Sequence, residues 1–224
     1  MAGVGFFGKL QSHGDFVGRR LPPEMQQCFD RWLQAALLHS REELGAAWVD
    51  VWATSPLWRF ALGPGVCGAQ AWLGVMMPSA DRVGRCFSLV LAVASPAAQS
   101  LGDCIGPLDG WYCRLEELAL SSLEPDFSLE EFDAALLTTA SPPQVPQPVL
   151  PAAALQPVAL AFSPLQAGRV PPLAHGALDG ASAWWTDGSA HVQPTLARCA
   201  GMPPPAAFAA MLDGEWLQRG WRQV

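Results

Sequence analysis

Apolar residues recur along this chain with two distinct periods, and the switches between them mark its elements. Gly5-Phe6-Phe7-Gly8-Lys9-Leu10 is a short apolar run bounded by glycine. It predicts a first buried strand leading into a polar loop, Ser12-His13-Gly14-Asp15-Phe16. After Pro22-Pro23, the residues Met25, Phe29, Trp32, Leu33, Ala36, Leu37 and Leu44 follow the three-four spacing of one buried helical face. Proline suits a helix start because its missing N–H would have been unpaired anyway, and Gly45 is the predicted stop. Trp48, Val51 and Trp52 form a second short helical pattern that Ser55-Pro56 ends.

The period then changes. Leu57 to Leu62, a Gly63-Pro64-Gly65 turn and Ala69 to Met77 read as two strands of a hairpin, which requires an antiparallel pair. Pro78 to Arg85 is a charged loop, and Phe87 to Ala94 is almost uninterruptedly apolar, as in a strand buried on both faces. From Asp109, the residues Trp111, Leu115, Leu118, Ala119 and Leu123 predict another helix with Glu116, Glu117 and Glu124 on its outer face. Ser128-Leu129-Glu130-Glu131 carries a capping-box signature and predicts a short helix through Leu137. Residues 140–157 form a proline-rich exposed connection, after which Val158–Phe162 and Ser182–Thr186 read as strands and Pro205–Leu212 as a helix capped by Gly214. The expected fold is α/β, a central mixed β-sheet flanked by helices on both faces in a three-layer α-β-α sandwich, with residues 1–224 as a single domain.

Composition narrows the function classes. Half of the 224 residues are hydrophobic and only 15% are charged, so ten Trp and ten Phe need a folded core. The net charge of −7 argues against sequence-independent nucleic-acid binding, which depends on cations that release the counterions of phosphate. Residues 101–133 hold nine of the 20 acids and a single base, Arg114. The six cysteines show no C-x-x-C pair, and they are expected as free thiols in a cytoplasmic protein. The opening residues lack the pattern of a secretory signal. The charge-free stretch 134–168 contains seven prolines, so no direct membrane insertion is expected.

Candidate chemistry is sparse. His13 and Asp15 on a glycine loop are a candidate metal or acid–base pair, but a catalytic metal usually takes three protein ligands, and His39, His175 and His191 stand in no ligand spacing. No cofactor is expected. Gly63 to Gly68 has the glycines of a phosphate loop yet follows a hairpin strand instead of opening a helix. The pairs Arg85-Cys86 and Arg198-Cys199 are read as buried apolar thiols in chance proximity to arginine. The densest polar group is Ser79, Asp81, Arg82 and Arg85 on one short loop. Two readings of it stay open: a latch that folds back on Asp15 or on backbone carbonyls, which spacing favours, or a surface turned outward to a partner.

Taken in order, Gly5-Phe6-Phe7-Gly8-Lys9-Leu10, Gly14-Asp15-Phe16-Val17, Trp32-Leu33-Gln34, Ser55-Pro56-Leu57-Trp58-Arg59-Phe60 and Gly74 through Phe87 resemble the TagF family of type VI secretion system-associated proteins. Ser182-Ala183-Trp184-Trp185, Gly201-Met202-Pro203 and Phe208 are similar to that family's C-terminal signature. The chain departs from the family at Gln11-Ser12-His13, where Pro-Ser-Arg is common, which further weakens His13 as a ligand. A second departure is Phe87-Ser88-Leu89 in place of Phe-Pro-Leu.

The resemblance implies a cytoplasmic post-translational repressor of secretion-system assembly that binds the forkhead-associated scaffold protein Fha and performs no chemistry. Two alternatives stand beside it: a small hydrolase or metal-dependent enzyme with its site at the Asp15, Asp81, Arg82 and Arg85 loops, and a structural accessory subunit of the apparatus. The partner surface is expected on the loops holding Lys9, Asp15, Arg19, Asp81, Arg82 and Arg85, with the acidic stretch 101–133 as the competing candidate.

Overall fold

The helical period of residues 23–44 folds as α1 (Pro23–Leu44), which buries Met25, Phe29, Trp32, Leu33, Ala36 and Leu37 and ends at Gly45 with φ 54°. The computed structural model describes residues 3–95, 104–142, 160–166, 172–174 and 178–224. Most of the predicted connection at 140–157, the residues from 143 on, lies outside the described residues, as does His175. Before α1 come β1 (Gly5–Gly8) and β2 (Val17–Arg19). After it come α2 (Trp48–Ala53), β3 (Trp58–Leu62), β4 (Ala71–Met77), β5 (Leu89–Ser95), α3 (Asp109–Ser121) and α4 (Leu129–Thr138). The remainder supplies β6 (Ala161–Pro164), β7 (Ala181–Thr186), β8 (Thr195–Ala200), the single turn α5 (Ala210–Asp213) and β9 (Arg222–Gln223).

The nine strands of the described residues join one sheet in the order β2-β1-β5-β4-β3-β7-β8-β6-β9. Every pairing is antiparallel except β6 with β9, and that one parallel pair makes the sheet mixed. Side chains alternate across it with the period of two that a pleated strand imposes. Along β5, Val90 and Ala92 join a cluster with α1, α2 and the segment 207–221, while Leu89, Leu91 and Val93 join a second cluster with α3 and α4. The apolar run 87–94 is thus explained by helices covering both faces of an antiparallel sheet.

Buried tryptophans need partners for their indole N–H groups, and backbone carbonyls far along the chain supply several. Trp32 donates to Pro203 O at 2.6 Å, Trp58 to Met211 O at 3.1 Å and Trp221 to Ala207 O at 3.0 Å. The first two bonds fasten the C-terminal segment to α1 and β3, and the third ties that segment to itself. The predicted helix 205–212 is divided into a short 3-10 turn and α5, closed as expected by Gly214 at φ 78°.

The expectation of six free thiols is corrected. Cys28 on α1 and Cys67 in the β3–β4 turn form a disulfide, and Cys86, Cys104, Cys113 and Cys199 remain thiols. The turn packs directly onto the helix, because a Cβ added at Gly68 would collide with the Glu24 carboxylate. Spacing gave no warning, since the two cysteines are 39 residues apart. Thiol titration of denatured, unreduced protein is expected to find four groups, rising to six after treatment with a dithiol; six before reduction would contradict the bond.

Candidate partner-binding site

Two loops meet at one end of the sheet. The first leaves β1 at Gly8, where φ is 148° and a Cβ would run into the Ser88 carbonyl, so only glycine fits so close to the neighbouring chain. The second, residues 78–87, closes between β4 and β5. Its base is a bridge between Ala80 and Cys86, with Phe87 N donating to Ser79 O at 3.0 Å. Ser79 Oγ donates to Lys9 O at 2.8 Å, and Trp52 Nε1 donates to Ser79 O at 3.2 Å. Both the sheet and α2 therefore hold the loop in place.

Asp81 organises the junction. Its Oδ1 accepts from Val83 N at 3.1 Å and Arg85 N at 2.9 Å, and its Oδ2 accepts from Lys9 Nζ at 3.0 Å and Arg85 Nε at 2.6 Å. A carboxylate offers about four lone-pair sites, so this one is saturated. Burial alone would raise its pKa, but the bonds from Arg85 N, Lys9, Arg85 Nε and Val83 N outweigh it and hold the carboxyl well below the usual carboxylate range. The loop closes as the latch that spacing favoured, with Asp81 holding Lys9 and Arg85 and with Arg85 reaching back to the Gly14 backbone carbonyl instead of to Asp15.

The latch turns other groups outward. Gly84 N donates to Asp81 O at 2.9 Å with Gly84 at φ 82°, a tight turn that places Arg82 and Val83 at its tip. Val83 is 69% exposed, and the Arg82 guanidinium has no hydrogen bond or ion pair among the described residues. The tip is anchored to the first loop by Arg82 N donating to His13 O at 2.9 Å and by Arg85 Nη2 donating to Gly14 O at 2.5 Å. Beside it, half-exposed Phe16 stacks on Phe7 at 5.4 Å and meets the edge of Phe87 at 4.8 Å, with Lys9 Nζ 5.3 Å from its centroid.

Of the six predicted contacts, Lys9, Asp81 and Arg85 share one network with Arg82 adjoining it. Asp15 faces solvent and accepts from Phe16 N at 2.8 Å. Arg19 lies on edge strand β2, where its guanidinium covers the Gly18 carbonyl at 3.0 Å, a device that blunts an unpaired strand edge. Lys9 and Asp81 are buried and belong to the support of the surface, whereas Arg82, Arg85 and Asp15 belong to the surface itself.

Comparison with known proteins decides the family. The TagF N-terminal domain, described as type VI secretion system-associated, matches residues 5–139. The chain belongs to the TagF family. It is also similar to PA0076 from Pseudomonas aeruginosa PAO1, known from a crystal structure, with 44% identity over 95% of this chain and 94% of that one and a TM-score of 0.78. Among curated proteins nothing matches. As a TagF-family protein the chain has an accessory role in type VI secretion, and both loops of the junction fall inside the matched domain.

This TagF-family chain holds a second polar cluster that periodicity did not reveal. Arg59, the second residue of β3, is 5% exposed at its side chain and forms a two-bond fork with Glu116 at 2.7 and 2.8 Å. It also pairs with Asp109 at 2.7 Å and Asp187 at 3.1 Å. Burial alone would lower its pKa, but Glu116, Asp187 and Asp109 raise it above its ordinary value, so it stays charged. Glu116 thus faces inward, correcting its predicted place on the outer face of α3. An arginine inside an apolar strand, with Asp109 and Glu116 seven residues apart on one helix face, was the available signal.

Proposed function

We propose that this chain represses type VI secretion after translation, in the cytoplasm, by binding the forkhead-associated scaffold Fha and keeping it from assembly. The observation that carries the reading is the pair of latched loops, which hold a cationic and apolar tip rigidly outward within the family's matched domain. A rigid tip loses little conformational entropy on docking, as an interaction surface requires.

The loops support binding more readily than chemistry. Asp81, the best-placed carboxylate, has no free lone pair to act as base or nucleophile. Burial pushes the thiols of Cys86 and Cys113 up, and that of Cys199 up to about 11, which keeps them from forming thiolates near neutrality. Among the described residues, no three His, Cys, Asp or Glu side chains gather in a way that could hold a metal ion, and no helix is long and apolar enough to cross a membrane.

The test uses purified Fha from the same secretion system. Wild-type protein is expected to retain it in a pull-down, and deletion of the gene to raise secretion. Arg82→Ala should abolish the pull-down and release secretion while shifting Tm by only a few degrees, because the exposed guanidinium bonds to nothing among the described residues. Wild-type protein that fails to bind Fha would defeat the reading.

A further inference from the structure

We infer that the tip formed by Phe16, Arg82, Val83 and Arg85 is the docking site for an acidic segment of a protein partner, one that presents a carboxylate beside an apolar side chain. The inference rests on the binding role proposed above and specifies the chemistry of what binds. Three observations carry it.

First, the Arg82 guanidinium is solvent-facing and uncommitted, and its planar fork of donors matches a carboxylate in two parallel hydrogen bonds. Arg85 spends two donors on Asp81 and Gly14 yet remains 62% exposed, leaving N–H groups for a second acceptor. Second, the apolar part is fixed in advance. Phe16 is held by Phe7 and Phe87 behind it, and Val83 stands at the tip of a turn whose backbone is bonded to Asp81 on both sides.

Third, charge separates this place from the rest of the chain. In a protein of net charge −7, Asp81 is already matched by Lys9 and Arg85, so the outward charges here are Arg82, the rest of Arg85 and Asp15. Arg41 at the end of α1 is close enough for its charge to act on the Cys86 thiol beside the tip. A long polyanion would meet the acidic remainder of the molecule and be repelled. A short acidic segment can reach Arg82 and the free donors of Arg85 with Asp15 as the acid beside them, and the two arginines steer it there.

Two measurements test this. The first is independent of Fha: two-dimensional amide NMR of the full chain titrated with N-acetyl-Glu-Leu-Glu-amide and, separately, N-acetyl-Lys-Leu-Lys-amide. The acidic peptide is expected to shift amides of residues 12–17 and 81–86, and Arg82→Glu to remove those shifts. Shifts that are absent, scattered or equally large with the basic peptide overturn the inference.

The second is calorimetric titration with purified Fha at 50 and 300 mM NaCl. Arg82→Glu is expected to weaken binding at least tenfold at the lower salt, and Arg82→Gln at least threefold, each with Tm near wild type. Glu117→Lys, on the exposed side of α3, serves as the control and should leave the affinity unchanged at the higher salt. If wild type binds Fha and both Arg82 variants bind as well, the inference falls and the Fha reading stands. If wild type does not bind Fha, that reading falls and the peptide titration alone decides the surface.

Discussion

Arg59→Met is expected to destabilise the fold by about 3–4 kcal/mol, because removing one partner of a buried ion pair leaves the other without compensation. Glu116 is only 20% exposed and uses both oxygens on Arg59, so it has nowhere to turn once the guanidinium is gone. Asp109 and Asp187 then add like charges to the same corner. In thermal unfolding the loss should appear as a fall in Tm of roughly 10 °C for a chain of this size. Asp187→Ala makes a sharp contrast: its side chain is 78% exposed, and its removal is expected to change stability by less than about 1 kcal/mol. Arg59→Met combined with Glu116→Leu should recover much of the loss, because an apolar pair of similar volume removes the stranded charge. Arg59→Met and Asp187→Ala melting together would mean that the cluster is merely a surface ion pair.

What could be read from the residues alone follows how strongly each element depends on local pattern. Helix α1 was legible at both ends, since seven apolar positions at helical spacing lie between Pro23 and Gly45 and the helix runs Pro23–Leu44. β3, β4 and β5 were legible because each is an apolar run several residues long set off by glycine, proline or polar loops. β2 and β9 are three and two residues long, too short for any period to show, and they exist because a neighbouring strand offers its free edge. β8 was missed for a different reason. In Thr-Leu-Ala-Arg-Cys-Ala both faces are covered, and a buried Arg198 in the middle hides the run from a search for apolar stretches. The nearest neighbours of β8 are set by tertiary packing, which no local window contains.

The candidate site was half legible. Crowding of polar groups on a loop between buried strands singled out residues 79–85, and the need to satisfy those groups internally predicted a latch. Spacing could not say which residue would close it, because Lys9 lies 72 positions from Asp81. That contact depends on β1 and β5 being neighbours in the sheet, while β4 and β5 bracket the loop. Separating support from surface needed burial as well: Asp81 and Arg82 are adjacent in sequence, yet one is enclosed and the other is free.

Asp81→Ala is expected to lower Tm by roughly 10–15 °C, the response to stranding a buried cation and opening a tight turn together. The substitution removes the Oδ1 that accepts from Val83 N and Arg85 N and leaves Lys9 Nζ, held in a mostly buried side chain, with the Arg85 carbonyl at 3.3 Å as its hydrogen-bond acceptor. Asp81→Asn separates the two losses. Its amide oxygen can still accept from Val83 N and Arg85 N, but its NH2 then faces Lys9 and Arg85 donors, so its Tm should fall between wild type and Asp81→Ala. Lys9→Met in the Asp81→Ala background should raise Tm again, because the stranded ammonium is gone.

The same residue sets part of the acid limb. Folded Asp81 titrates below its unfolded value, which is near 3.9. Its contribution is therefore fully present above that pH and is lost as the pH falls through the lowered folded value. Wild-type protein should lose stability on acidification below about pH 4 more steeply than Asp81→Asn, which has no proton to take up there. An Asp81→Ala protein that melts within two or three degrees of wild type and keeps the wild-type acid limb would mean that the loops hold their shape without the carboxylate, and the pre-set tip at Arg82 and Val83 would lose its physical basis.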